Sequence, residues 1–273
     1  LFATFVSLNY AVDNGTAIPD FIFRGNHGAF GIEATSINPT AGAPIPVPDD
    51  PAELLAYVEN YIPIRLGGVL RKKLERKDPY WETPQMQGLP FVLAVQDFHA
   101  PRIMQVITTA ATEYVFGVRH HLENARLRIE RVGDHVWKGS REASGFFALP
   151  GAENISAVIV NPQGTLPKFN RLGYLAQFGN RNVRMTRWGF ARGEHDAGNP
   201  MPKGFFQEVH APGYDESWVE GMVVLHNPNA RIPLDPGLIP GAAHEFLQDD
   251  GRIFSLLPAF HPFMAYTTIH VAA

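Results

Sequence analysis

With 273 residues, of which 45% are apolar and 18% charged, the chain can bury a substantial core as one large domain or two modest ones, and it is neither a disordered nor a collagen-like sequence. It contains no cysteine, which excludes disulfides and zinc–thiolate sites and fits a reducing cytoplasm, the expected location. The net charge of −4 gives no global attraction for nucleic acid, so any such contact needs a local basic patch. No apolar run reaches the roughly 18 residues needed to span a bilayer, and no membrane partner is expected.

The apolar start, Leu1 to Val6, lacks the basic flank and small-residue cleavage site of a signal peptide. It begins in mid-pattern without an initiator Met, from which residues preceding Leu1 are expected. Leu1, Phe5 and Leu8 share one face and predict the end of a helix, followed by a short strand over Tyr10-Ala11-Val12. The stretch from Ile18 to Asn38 reads as two strands joined by a polar turn, Arg24 to Gly28. Each strand carries one carboxylate among apolar neighbours, Asp20 and Glu33. Held side by side they repel each other unless one is protonated or a cation intervenes, and a hard divalent ion with oxygen ligands would satisfy both. A Pro-rich loop from Asn38 to Pro51 follows.

Asp49 or Asp50 can cap a helix carrying Leu54, Leu55, Val58 and Ile62, which Pro63 should break or kink. A second helix is predicted to about Lys77, with Leu66, Leu70 and Leu74 as its apolar stripe. Arg65, Arg71, Lys72, Lys73, Arg76 and Lys77 surround that stripe and make it the most basic segment of the chain. A solvated face is the ordinary meaning of such a run. Leu89 to Val95 has the signature of a strand buried on both faces, and polar residues Gln96 to His99 follow it, where open α/β sheets bind ligands. Helix is predicted from Pro101 to Phe116.

Residues 117–143 are charged and predict a helical connector, in which the neighbouring His120, His121 and Glu123 point apart rather than toward one metal. Strands are predicted over Ile155–Val160, Val183–Trp188 and Met222–Leu225. A helix is predicted from Ile239 to Gln248, and Arg252–Leu257 and Met264–Val271 are read as a strand pair. The second half is expected to extend the same sheet. Neither a nucleophile elbow nor a phosphate-binding loop is present. The remaining histidines have no ligand-like spacing; His99 and His226 are the two most exposed to a functional role by position.

Pro19-Asp20 with Glu33-x-Thr35 on the next strand resembles the PD-(D/E)XK motif of the restriction-endonuclease-like phosphodiesterase superfamily. The element order around it is similar: helix, hairpin, helix, buried strand ending in Gln, helix. The resemblance implies an α/β fold with a restriction-endonuclease-like mixed-sheet core flanked by helices over residues 1–116. Residues 144–273 are then a mainly β, α+β elaboration packed on or extending that core. It also implies Asp20 and Glu33 as ligands of Mg²⁺ or Mn²⁺, and hydrolysis of nucleic-acid phosphodiesters, with DNA the expected substrate and a homodimer as one assembly to test. The chain departs from the motif at Thr35, where the family has Lys. Some members supply that Lys from the adjacent helix, which makes Lys73 the first candidate and Lys77 the second; Gln96 and Thr35 are the supporting polar groups. The Thr35 departure also keeps open a catalytically inactive, nuclease-fold binding or regulatory protein. A purely structural hairpin, with Glu33 paired to Arg24 or Arg65, is the third reading. Segments such as Ile155–Val158, Lys168-Phe169 and His226–Ala230 look like the C-terminal part of uncharacterised bacterial proteins, a likeness that implies no activity.

Overall fold

The computed structural model describes residues 1–15, 17–40, 45–124, 126–179, 182–193 and 201–271. The chain folds as a mixed α/β protein around one large mixed sheet. Helix α1 (Phe2–Ser7) leads into β1 (Ala11–Asp13), which pairs antiparallel with β2 (Phe21–Gly25), itself antiparallel to β3 (Gly28–Ile37). Strand β4 (Phe91–Asp97) runs parallel to β3, with Glu33 opposite Leu93. Four later strands extend the same sheet beyond β4. They are β9 (Ala157–Val160), β12 (Val223–His226), β13 (Ala243–Leu247) and β14 (Ile253–Leu256), giving the order β1-β2-β3-β4-β9-β12-β13-β14.

Alternation along the strands puts different side chains on the two faces. Ile22, Leu93, Val95, Val158 and Leu225 pack under α3 (Ile62–Leu74) and α4 (Ile107–Phe116), whereas Phe23, Phe30, Ile32, Val92 and Ile159 pack under α1, where Phe5 is fully buried. At Gly31 the absent side chain leaves room for the buried Met86, whose Sδ and Cε occupy the space a Cβ would take.

Pro63 does not break its helix. α2 (Pro51–Ala56), capped by Asp50, passes through a π-helical turn at Tyr57–Tyr61 straight into α3. Proline has no N–H for the carbonyl of Glu59, four residues earlier. That carbonyl is instead met by His135 Nδ1 at 2.6 Å and Arg119 Nη2 at 3.4 Å. The widened turn and these outside donors absorb the defect. α3 also ends at Leu74, before Lys77.

Three further expectations are corrected. The charged connector is not helical: β5 (Val118–Glu123) pairs with β6 (Arg126–Arg131), and β7 (Asp134–Trp137) with β8 (Ser140–Ala143). Its polar side chains pair across the hairpins, as in the ion pairs Arg128–Glu123 and Arg141–Asp134 and the contact of His121 with Glu130. Lys138 and Gly139, at φ 46° and 86°, form the tight turn that matches strand twist. Ile239–Gln248 is not a helix either. Pro240 and the left-handed Gly241 (φ 84°) end one turn, and β13 then runs parallel to β12. Finally, the two C-terminal strands do not pair together: β14 joins β13, while β15 (His261–Val271) pairs with β10 (Val183–Arg192), whose other neighbour is β11 (Lys203–Glu208). Helix α5 (Leu166–Leu175) and β11 have no counterpart in the sequence reading. α5 carries the buried Arg171, which grips Glu216 with both Nε (2.8 Å) and Nη2 (2.7 Å).

His135 is fully buried in the fold. Burial pushes its pKa below the ordinary value, with Nδ1 donating to Glu59 and Nε2 accepting from Ser144. The unfolded chain takes up a proton near the ordinary histidine value of about 6.5 and the folded chain only at lower pH, so this site costs stability as pH falls through that value. Urea midpoints measured at pH 7 and pH 5 should therefore fall further for the wild type than for His135→Gln.

Candidate functional site

Asp20 immediately precedes β2, and Glu33 sits in the middle of β3. The β2–β3 ladder has Phe21 opposite Ile32 as its last pair, so the next β3 amide facing β2 needs an acceptor. Asp20 Oδ2 provides it, accepting from Ala34 N at 2.8 Å, and Glu33 Oε2 in turn accepts from Asp20 N at 3.2 Å. The two carboxylates thus close the end of the hairpin reciprocally. The preceding Ile18–Pro19 bond is cis, and Gln85 Nε2 donates to Ile18 O at 2.5 Å.

Glu33 is only 6% exposed, and a carboxylate so buried needs charge compensation. It comes from the last turn of α3, where Lys73 Nζ lies 2.7 Å from Glu33 Oε1. The same oxygen accepts from Tyr80 Oη at 3.0 Å. Burial alone would lower the Lys73 pKa, but the hydrogen bond to Glu33 and its charge outweigh burial and hold it above the ordinary lysine value. Tyr80 belongs to a short 3₁₀ turn (Tyr80–Glu82), stacks on Phe91 with ring centres 5.2 Å apart, and has the Arg76 guanidinium 4.9 Å from its ring centre. Oδ1 of Asp20 has no hydrogen-bond partner among the described residues.

The structure therefore brings Asp20, Glu33 and Lys73 together and leaves three expected residues elsewhere. Lys77 is exposed beyond the end of α3. Thr35 and Gln96 border a separate, largely apolar cavity of about 510 Å³ that also takes in Phe98, Lys168 and Trp218, with Gln96 Nε2 3.4 Å from Met104 Sδ. Neither arginine of the structural reading pairs with Glu33: Arg65 binds Asn38 O and Thr40, and Arg24 is exposed. Tyr80 is the residue that sequence reasoning missed. Its signal is its place, one short turn past the basic helix and just before the buried strand.

The watched histidines are structural. His99 is buried between Asp97 Oδ1 (2.6 Å) and Tyr57 Oη (2.7 Å), and His226 faces His244 at 2.8 Å. His120 reaches Gly251 O. Among the described residues no group of three or more His, Asp or Glu is placed to hold a metal ion. No helix among them is long and apolar enough to cross a membrane. The chain matches no family model, no curated protein and no solved structure.

Lys73→Met leaves a buried carboxylate with neutral partners only. Because Lys73 is itself 25% exposed, the expected cost is about 1–3 kcal/mol rather than that of a fully buried pair. Glu33→Gln in the same protein should restore part of it, and urea unfolding of the two single variants and the double variant measures the coupling. An unchanged midpoint for Lys73→Met would show that the pair is solvated.

Proposed function

We propose that the chain is a metal-dependent nuclease of the restriction-endonuclease-like kind, with Asp20 and Glu33 as metal ligands and Lys73 as the cation facing the scissile phosphate. The observation that carries this is the arrival of Lys73 Nζ on Glu33 Oε1 from a neighbouring helix. The motif's missing charge is thereby supplied from a second element. The order of helix, three antiparallel strands, helix and a strand parallel to the third supports the same reading.

The donor set fits a small divalent ion. Mg²⁺ commonly takes one or two protein carboxylates and completes its shell with water and substrate phosphate. Here a partly exposed Asp20 oxygen has no partner among the described residues, next to a buried Glu33 fixed by three donors. A bound ion supplies neutralising charge and a hydroxide near pH 7. Glu33 keeps its orientation through Tyr80, and the Lys73 ammonium orients the attacking water or offsets charge on the phosphoryl oxygens. Arg76, 4.9 Å from the Tyr80 ring, is exposed beside this group, and Lys72 and Lys77, exposed on the same basic segment, add the local positive charge that a chain of net charge −4 needs to hold a nucleic-acid backbone. DNA in the cytoplasm is the expected substrate.

A second reading, a binding module without catalysis, draws on one fact: both oxygens of Glu33 are already engaged. Mg²⁺ and Mn²⁺ titration by calorimetry separates the two. For the nuclease, Asp20→Ala and Glu33→Ala should abolish metal binding, and each should lower metal-dependent cleavage of plasmid DNA by about 100-fold or more. Lys73→Ala should lower cleavage comparably while metal still binds, and Thr35→Ala should cleave like the wild type. Equal cleavage by the Asp20 and Glu33 variants would exclude this function.

A further inference from the structure

A second cavity lies on the α4 side of the far half of the sheet, well separated in sequence from the carboxylate pair. Its volume is about 480 Å³, within the range of small-molecule sites. Four units enclose it: α4, the β5–β6 hairpin, strands β12 to β14, and the end of the β10–β15 ribbon. Most of its wall is hydrocarbon, including Leu122, Leu127, Val223 and Phe263.

Polar side chains share the wall, Thr112, Glu113, His120 and His121 on one side and Arg192, Glu245 and His261 on the other, and the pairing of the second set is incomplete among the described residues. Arg192 and His261 face each other as cross-strand partners at the end of the ribbon. Nε of Arg192 and Nδ1 of His261 are both buried without a hydrogen-bond partner among the described residues, and His261 as a whole is only 6% exposed. Burial, with the Arg192 and Lys168 charges adding to it, lowers the His261 pKa to about 4, so the ring is neutral near pH 7 and adds no charge. Across the cavity Glu245 accepts from Thr112 Oγ1 at 3.0 Å through Oε2. Burial pushes the Glu245 carboxyl up, and its hydrogen bond to Thr112 and the Arg192 charge act against burial. Glu245 and Arg192 therefore sense each other but make no ion pair among the described residues.

A guanidinium and a carboxyl that border one cavity without touching are costly to keep. A buried N–H without an acceptor adds to that cost. The arrangement is relieved by a guest that brings an anion to Arg192 and His261 and a donor cation to Glu245, with carbon to cover the wall. We propose that this cavity binds a small zwitterion with an apolar body, of the kind represented by an α-amino acid with a hydrocarbon side chain. Its carboxylate pairs with Arg192 and takes a hydrogen bond from the neutral His261. Its ammonium pairs with Glu245, and its side chain lies against Leu122, Leu127 and Phe263. The site is independent of Asp20 and Glu33, so its fate does not depend on that of the nuclease reading.

Calorimetric titration of the full chain with L-leucine and with L-phenylalanine tests this directly. At least one should bind with a dissociation constant of roughly 1 mM or tighter, and 3-phenylpropanoate and phenethylamine, which each carry one of the two charges, should bind at least about tenfold more weakly than phenylalanine. Arg192→Gln and Glu245→Gln should each weaken binding by about tenfold or more, with circular dichroism and melting temperature confirming that the variants are folded. If one variant is unfolded, the other and the two single-charge analogues still decide the matter. Absence of heat with both amino acids would overturn the proposal, as would equal binding of 3-phenylpropanoate.

Discussion

The burial of Glu33 is the constraint on which the first half of the molecule depends. A carboxylate that is 94% removed from water is tolerable only if donors surround it, and here the donors come from three separate places. The amide of Asp20 belongs to the hairpin, the ammonium of Lys73 to α3, and the hydroxyl of Tyr80 to the segment that feeds β4. One side chain thereby ties together the hairpin, the helix that covers it and the entry to the central strand. The Tyr80–Phe91 stack carries the same link into β4 by dispersion rather than charge.

The position of α3 is fixed by an unusual feature of its own. Pro63 removes one backbone bond, and the π-helical turn before it shifts the helix rather than ending it. Ile62, Leu66, Leu70 and Leu74 then form the buried stripe, and Lys73 lies beside Leu70 and Leu74 at the rim, where its stem can run along apolar surface to Glu33. The carbonyl that Pro63 leaves free is held by His135 from the β7–β8 hairpin and by Arg119 from β5. The hairpins misread as a helical connector are therefore part of what seats the helix.

What the sequence made legible follows a physical division. Strands with continuous apolar runs, β4 and β9, and the helix with a four-residue leucine spacing were readable because burial writes its own period. The carboxylate pair was readable because Asp20 and Glu33 interrupt such runs. Residues 117–143 were not readable, because alternating charge suits a helix face as well as a hairpin, and the turns show themselves in positive φ at Asn124, Lys138 and Gly139. Ile239 to Gln248 failed for a related reason: five strand residues after a Pro-Gly turn are too few to show a period. Tyr80 carried no pattern at all, since its role exists only once α3 and β4 are placed. The same holds for Arg192, His261 and Glu245, which come from strands that are far apart in the chain.

A cation delivered from a helix differs physically from one carried by the strand itself. A side chain two residues beyond Glu33 would be positioned by the register of β3 alone, a property of the hairpin. Lys73 is positioned by how α3 packs, through Leu66, Leu70 and Leu74, and by Tyr80, which shares Glu33 Oε1 with it. Its long stem tolerates small shifts of the helix, so the ion pair survives motions that would misplace a shorter donor. Tyr80 and the Asp20 amide hold the same carboxylate independently of the ammonium. Orientation of the acid and compensation of its charge thus come from different elements of the fold.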